Sequence, residues 1–302
     1  PQFEHFVLPG DMMANSVQHI VQDSLGFLWF ASEGGLHSYD GRSMVTYKFD
    51  PLNENCISDD YVEWIYMDRK GKMWLGHYGG GLTSFNRSTG TFKRFRHNPD
   101  DPHSLSDDWV SMIVEDRQGQ LWVATHNGLN RFDPATGKFK RYYHDSKNPR
   151  SLSHNLVRSL YVDSRGTLWV GCGFPWMDNG DMGGGLNRFD PKTESFTRYL
   201  HQPGNANSLI DNRVRAIFED SKGNFWVGTM GDGLHLMNRE KGTFTRLRNR
   251  NNAVPAKPFL KDNPRNAFGQ VTFVFEDNRG WLWIGSFDGG LNIFDPKTKE
   301  MK

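Results

Sequence analysis

Glu115-Asp116-Arg117-Gln118-Gly119-Gln120-Leu121-Trp122-Val123 opens on the two acids that end an apolar run, passes through a turn containing glycine, and enters a second apolar run whose second residue is tryptophan. Asp or Asn caps its own turn and Gly supplies positive φ, so the phrase specifies a β-hairpin. Outward from it, Trp109 to Val114 and Leu121 to Thr125 form the hairpin's strands. His-Asn-Gly turns the chain into Leu129 to Phe132, and Asp-Pro-Ala-Thr-Gly turns it again into Phe139 to Tyr143. The unit is a four-stranded antiparallel meander.

The same phrase recurs around Trp29, Trp74, Trp122, Trp169, Trp226 and Trp283, at gaps of 45, 48, 47, 57 and 57 residues. A single such unit cannot bury its own apolar face, so tandem copies must stack. Leucine-rich solenoids have repeats of roughly 20 to 29 residues, and helical repeats need 3.6-residue apolar spacing. Neither pattern occurs. The expected fold is all-β, a β-propeller of four-stranded antiparallel blades, as a single domain over 1–302. Its repeats run at approximately 12–56, 57–104, 105–151, 152–208, 209–265 and 266–302.

Residues 1–11 are expected to carry a closing strand, because Phe3-Glu4-His5-Phe6 matches the fourth-strand phrase Phe139-Lys140-Arg141-Tyr142. Pairing it into the last blade would remove two sheet edges. The last repeat stops as its fourth strand begins, which reads as a fragment. Two arrangements stay open: six blades as given, or part of a seven-bladed ring in a longer parent.

The chain has 36 basic and 35 acidic residues, for a net charge of +1, so no nucleic-acid partner is expected. Mean hydropathy is −0.67, and no apolar run approaches a membrane span. The start at Pro1 fits a cytosolic chain or the processed product of an exported precursor. Cys56 and Cys172 fall in different repeats and read as incidental thiols.

Gly-Thr-Leu-Trp-Val-Gly at 166–171, Gly-Gly-Gly-Leu-Asn-Arg-Phe-Asp-Pro at 183–191, Phe-Thr-Arg-Tyr at 196–199 and Ser-Leu-Ser-Asp at 104–107 resemble the two-component regulator propeller repeat. The resemblance covers all six units. It implies a periplasmic sensor region of an inner-membrane bacterial receptor whose output is a histidine kinase, hybrid kinase or diguanylate cyclase. It also implies a second propeller or a β-sandwich as neighbour, a homodimer through the full receptor, and an oligosaccharide or similar solute as ligand. No cofactor, metal or enzymatic activity is expected.

Two insertions depart from the template, at 172–182, containing Trp176, and at 249–266. In a four-stranded blade both connections belong to one face. Loops on a rigid scaffold carry function, and an aromatic on a polar loop has a stacking or a packing role. The plain alternative is that each insertion folds over its own blade.

The same face receives the starts of the inner strands: Asn15-Ser16, Asp60-Tyr61, Asp108-Trp109, Asn155-Leu156, Asn212-Arg213 and Gly269-Gln270. The first member reads as a turn cap. The second varies, and Tyr61, Trp109, Arg213 and Gln270 offer stacking or hydrogen bonding to a sugar. Three residues after each tryptophan a small hydroxyl is the default. His77 breaks that pattern, with Tyr78 beside it and His126 on a neighbouring loop. The candidate ligand-binding set is therefore Tyr61, His77, Tyr78, Trp109, His126, Trp176, Arg213 and Gln270.

The repeated acids before each turn, such as Glu115-Asp116 and Glu219-Asp220, suggest a glycosidase carboxylate pair. Their constant place before a glycine turn marks them as hairpin residues. Asp178-Asn179-Gly180-Asp181 lacks the terminal glutamate of a calcium loop. Three functions remain: a ligand sensor, a lyase or hydrolase on the same scaffold, and a protein-docking platform. The first is favoured.

Overall fold

In the computed structural model the described residues are 7–8, 15–173, 183–231, 233–247, 270–287, 290–298 and 300–301. They form an all-β propeller fold of six four-stranded blades, each an antiparallel meander with its strands in sequence order. The chain divides into two compact units, Pro1–Tyr142 and Tyr143–Lys302. In the first unit, blade 1 holds β1 (Val17–Gln22), β2 (Leu28–Ser32), β3 (Gly35–Tyr39) and β4 (Met44–Tyr47). Blade 2 holds β5 (Val62–Met67), β6 (Met73–His77), β7 (Leu82–Asn86) and β8 (Thr91–Phe95), and blade 3 holds β9 (Val110–Glu115), β10 (Leu121–Thr125), β11 (Gly128–Asp133) and β12 (Lys138–Tyr142).

In the second unit, blade 4 holds β13 (Val157–Val162), β14 (Leu168–Cys172), β15 (Gly185–Asp190) and β16 (Ser195–Tyr199). Blade 5 holds β17 (Val214–Glu219), β18 (Phe225–Thr229), β19 (Gly233–Asn238) and β20 (Thr243–Leu247). Blade 6 holds β21 (Val271–Glu276), β22 (Leu282–Ser286), β23 (Gly290–Asp295) and β24 (Glu300–Met301). Of residues 1–11, expected to carry a closing strand, all but 7–8 lie outside the described residues, as do most of the two insertions, Trp176 included.

The repeating phrase works as a unit at the hairpin. Asp116 Oδ1 accepts the amides of Gln118 and Gln120 at 2.9 and 3.0 Å, and Gly119 turns the chain at φ 78°. Asp116 Oδ2 then accepts the indole N–H of Trp122 at 2.8 Å. The same bond joins Asp23 to Trp29, Asp68 to Trp74, Asp163 to Trp169, Asp220 to Trp226 and Asp277 to Trp283, at 2.7 to 3.0 Å. The acids before the turns are thus committed to the fold: they satisfy a polar N–H that would otherwise be left unpaired as its ring is buried.

Within the two units, four of the indoles cluster with apolar residues of the following blade. Trp29 meets Ile57, Val62, Ile65 and Leu75, Trp74 meets Val110, Ile113 and Val123, Trp169 meets Val214 and Val227, and Trp226 meets Val271 and Ile284. Burying roughly 150–250 Å² per indole is worth at most about 4–6 kcal/mol at about 25 cal/mol per Å². Close approach needs a minimal residue two positions on. A Cβ on Gly76 would lie 2.6 Å from Val110 Cγ1, and one on Gly228 would lie 2.5 Å from Val271 Cγ1.

The starts of the inner strands follow the expected cap. Asp60, Asp108, Asn155 and Asn212 each accept one backbone amide at 2.6 Å, from Phe49, His97, His144 and His201 respectively.

Candidate functional site

The residues flanking the first hairpin of a blade sit side by side at its open end. Tyr78 N–H donates to the Tyr61 carbonyl at 3.1 Å, and His126 N–H donates to the Trp109 carbonyl at 3.0 Å. Arg213 with Met230 and Gln270 with Phe287 repeat this pairing in blades 5 and 6, each at 3.0 Å. Every blade therefore presents two adjacent residues whose backbone is fixed and whose side chains are free to differ.

In blades 2 and 3 these residues are aromatic and they touch. The rings of Tyr61 and Tyr78 stack at 4.9 Å and 24°, and Tyr78 stacks on Trp109 at 4.3 Å and 23°. His126 closes the strip edge-on, 4.7 Å from Trp109 and 6.0 Å from Tyr78. Tyr78 and Trp109 remain 40% and 39% exposed, so the strip is a surface.

The run Gly79-Gly80-Gly81 makes this contact possible. The amides of Gly79 and Gly81 both donate to the Asp108 carbonyl of the next blade, at 3.1 and 2.8 Å. Gly80 has no room for a side chain, since a Cβ there would lie 2.5 Å from Asp59 Cβ. The backbone link carries Tyr78 across the blade junction into a bridge with Trp109. A glycine run that reads as a plain turn in the sequence is what joins two blades into one aromatic surface.

His77 stands elsewhere. Its ring is fully buried inside blade 2, with Nε2 3.0 Å from Thr83 Oγ1, which is in turn 2.8 Å from Ser58 Oγ. Alternation along β6 sends His77 inward and its neighbour Tyr78 outward. Burial is the main cause that pushes the imidazole down to about 3. His77 therefore belongs with the buried hydroxyl set. In that set Thr125 Oγ1 donates to the Gly128 carbonyl at 2.9 Å and Ser32 Oγ to that of Gly35 at 3.2 Å.

The remaining candidates lie in the second unit. Arg213 folds back on Asp211, with Nε 2.9 Å from Oδ1 and Nη2 2.7 Å from Oδ2, and its side chain is 13% exposed. Gln270 is half-buried at the start of blade 6. Trp176 lies outside the described residues. The strip of Tyr61, Tyr78, Trp109 and His126 is the part of the candidate set that the structure brings together.

The two-component regulator propeller pattern matches the chain at residues 104–127, 151–174 and 208–231. Histidine kinase P4 of Formosa agariphila is 32% identical over 126 residues, covering 40% of this chain and 8% of the kinase. The extracellular domain of a Bacteroides thetaiotaomicron protein designated a hybrid two-component system superposes with a TM-score of 0.66 at 28% identity, covering 92% of this chain and 40% of that one. A second B. thetaiotaomicron extracellular domain, from a protein designated a one-component system, shares the fold, with a TM-score of 0.55 at 20% identity over 95% of this chain and 43% of that one. The chain thus spans less than half the length of each of these relatives.

The chain carries two-component regulator propeller repeats at those three places, and the same hairpin phrase recurs in all six blades. It is a propeller domain of the kind found in the extracellular part of such sensor systems.

Proposed function

We propose that this chain is the exported, periplasmic ligand-sensing domain of a bacterial signalling receptor, and that it binds an oligosaccharide or similar solute through the strip of Tyr61, Tyr78, Trp109 and His126. The observation that carries this reading is the exposed stack itself. Flat aromatic faces with a phenol, an indole N–H and an imidazole at their edges suit a ring that is apolar on its face and hydroxylated at its rim. Rigid backbone pairing holds the strip before any ligand arrives, which lowers the ordering cost of binding. A bound ligand would signal by its difference in affinity between two arrangements of a larger dimeric receptor.

Thermal unfolding and calorimetry against a panel of oligosaccharides test this. A ligand at about 100 times its dissociation constant adds roughly 2.7 kcal/mol of stability. Trp109→Ala is expected to weaken that ligand by about 2 kcal/mol, roughly 30-fold in Kd, with Tyr78→Ala close behind. A sugar that binds both variants as it binds the parent would remove the strip from the site.

A docking role is the second reading, and blade 6 favours it. Phe273, Phe275 and Leu291 are 49%, 59% and 48% exposed, whereas Leu234, the blade 5 counterpart of Leu291, is covered by blade 6. A neighbouring propeller or β-sandwich of the same receptor would suit that face.

A further inference from the structure

Three of the four blade junctions inside the two units follow one rule. The last residue of a blade's first strand is a glutamate that reaches back to the turn of the preceding blade. Glu115 accepts the amide of Arg69 at 2.9 Å. Glu219 accepts the amide and hydroxyl of Ser164 at 2.6 and 2.9 Å, and Glu276 accepts those of Ser221 at 2.6 and 2.7 Å. At the junction of blades 1 and 2 the corresponding residue is Met67. It pairs with Met73 in the same register in which Glu115 pairs with Leu121 and Glu219 with Phe225. The turn residue that corresponds to Arg69, Ser164 and Ser221 is Ser24, which lines the same cleft as Met67.

An arginine marks the same difference. Arg239, just past β19, holds two carboxylates, Asp163 at 2.9 Å and Glu219 at 2.5 Å. Arg87 is its counterpart just past β7. It pairs with Asp23 and stacks over Phe27 and Trp29 at 4.7 and 5.2 Å, but the strand position that supplies the second carboxylate to Arg239 is Met67 here, which lines the same cleft as Arg87.

The clefts reverse in charge accordingly. Along blades 4 to 6 the cleft is lined by Asp163, Glu219, Asp220 and Glu276. Between blades 1 and 2 a cleft of about 610 Å³ is lined by Lys70, Lys72 and Arg87, with Asp23 as the opposing charge and Ser24 and Met67 completing the wall.

We infer that the cleft between blades 1 and 2 is an anion site, in which the carboxylate of a small acidic solute takes the place that a glutamate of the next blade takes at the other junctions. The donors would be the Ser24 amide and hydroxyl and the free edge of Arg87, with Lys70 and Lys72 supplying further positive charge. An arginine edge and backbone N–H groups are the groups that bind carboxylates most selectively. The site lies at the opposite end of β5 from Tyr61, so it is separate from the aromatic strip.

Calorimetry on the full chain with succinate and glucuronate tests the inference, with glucose and sodium chloride at matched ionic strength as controls. At least one of the two acids should bind saturably and lose affinity as salt rises. Binding of both points to organic acids in general, and binding of glucuronate alone points to an acidic sugar. Met67→Glu should fill the site from within and weaken binding at least tenfold, whereas Met67→Gln should leave it within about threefold. Lys70→Ala, an exposed change, should weaken binding by a few-fold with unchanged thermal stability. No carboxylate binding beyond the chloride control would overturn the inference, and so would a folded Met67→Glu protein that binds as the parent does.

Discussion

Arg239→Ala is expected to destabilise the second unit by about 3–5 kcal/mol, the usual result of stripping the partner from a buried charge. The side chains of Asp163 and Glu219 are 1% and 4% exposed, and the guanidinium between them is 9% exposed. Burial alone would push the Asp163 carboxyl up. The indole of Trp169, the amide of Thr167 and Arg239 together hold it below the ordinary carboxylate range. Removing Arg239 leaves the burial and takes away one of the compensating groups. It also removes the cation packed over Phe225 at 5.0 Å.

Two details make this result diagnostic. The deficit should narrow as pH falls toward about 4, because a protonated Asp163 no longer needs a cation. Arg165→Ala, which breaks an ion pair whose side chains are 57% and 74% exposed, should leave stability unchanged. Urea unfolding of both variants at two pH values checks both points. An Arg239→Ala protein as stable as the parent would mean that the blade 4–5 junction does not depend on its ion triad.

The turn phrase made the blades legible because each of its letters has a local job. Asp caps, Gly turns and Trp buries, so six copies could be counted and their strands placed within a residue or two. The first strand of blade 3 was expected from Trp109 and begins at Val110. The one-residue difference arises because Trp109 is held by a bridge to Tyr78 of blade 2. What connects blades was not legible, since it depends on residues about 46 to 76 positions apart. Neither the Glu115 contact with the blade 2 turn nor the reach of Arg239 to Asp163 has any local signature.

The candidate site divides along the same line. Tyr61, Tyr78, Trp109 and His126 stood out in sequence as aromatic departures from the repeat. That they form one stack follows from the crossing of Gly79 to Gly81, a tertiary event. His77 departed from the template just as visibly, yet it lies inside the blade. A change of residue type at a repeat position marks difference, and strand alternation decides whether that difference faces solvent. In the same way, Met67 is an ordinary strand residue until three other junctions show a glutamate in its place.

Buried histidines set the second large effect, a loss of stability in mild acid. His235 is fully buried in blade 5, where Nδ1 meets the Val227 carbonyl at 3.1 Å and Nε2 accepts the Ile210 amide at 3.1 Å. That pattern fixes the neutral tautomer with its proton on Nδ1. Burial, opposed by the bond to Val227, pushes His235 down to about 4. An unfolded histidine titrates near 6.5, so as pH falls from about 6.5 to about 4 the unfolded chain gains a proton that the native protein refuses. Stability is complete above that window and falls within it by up to about 1.4 kcal/mol per pH unit, levelling once the native ring protonates too. His77 adds the same slope to the first unit over a window that reaches about 3.

Blades 3 and 4 show how to remove the effect. Asn130 and Asn187 occupy the position of His235, accept the amides of Ser106 and Ser153 at 2.9 Å, and donate to the carbonyls of Val123 and Val170 at 3.2 and 3.1 Å. Asparagine makes both bonds and does not titrate. His235→Asn should therefore cost about 1 kcal/mol or less at pH 7.5, from the smaller side chain, and exceed the parent in stability at pH 5. Urea unfolding of the second unit across pH 4 to 8 measures the crossing. Parallel curves for variant and parent would show that another group takes up the proton that drives acid unfolding.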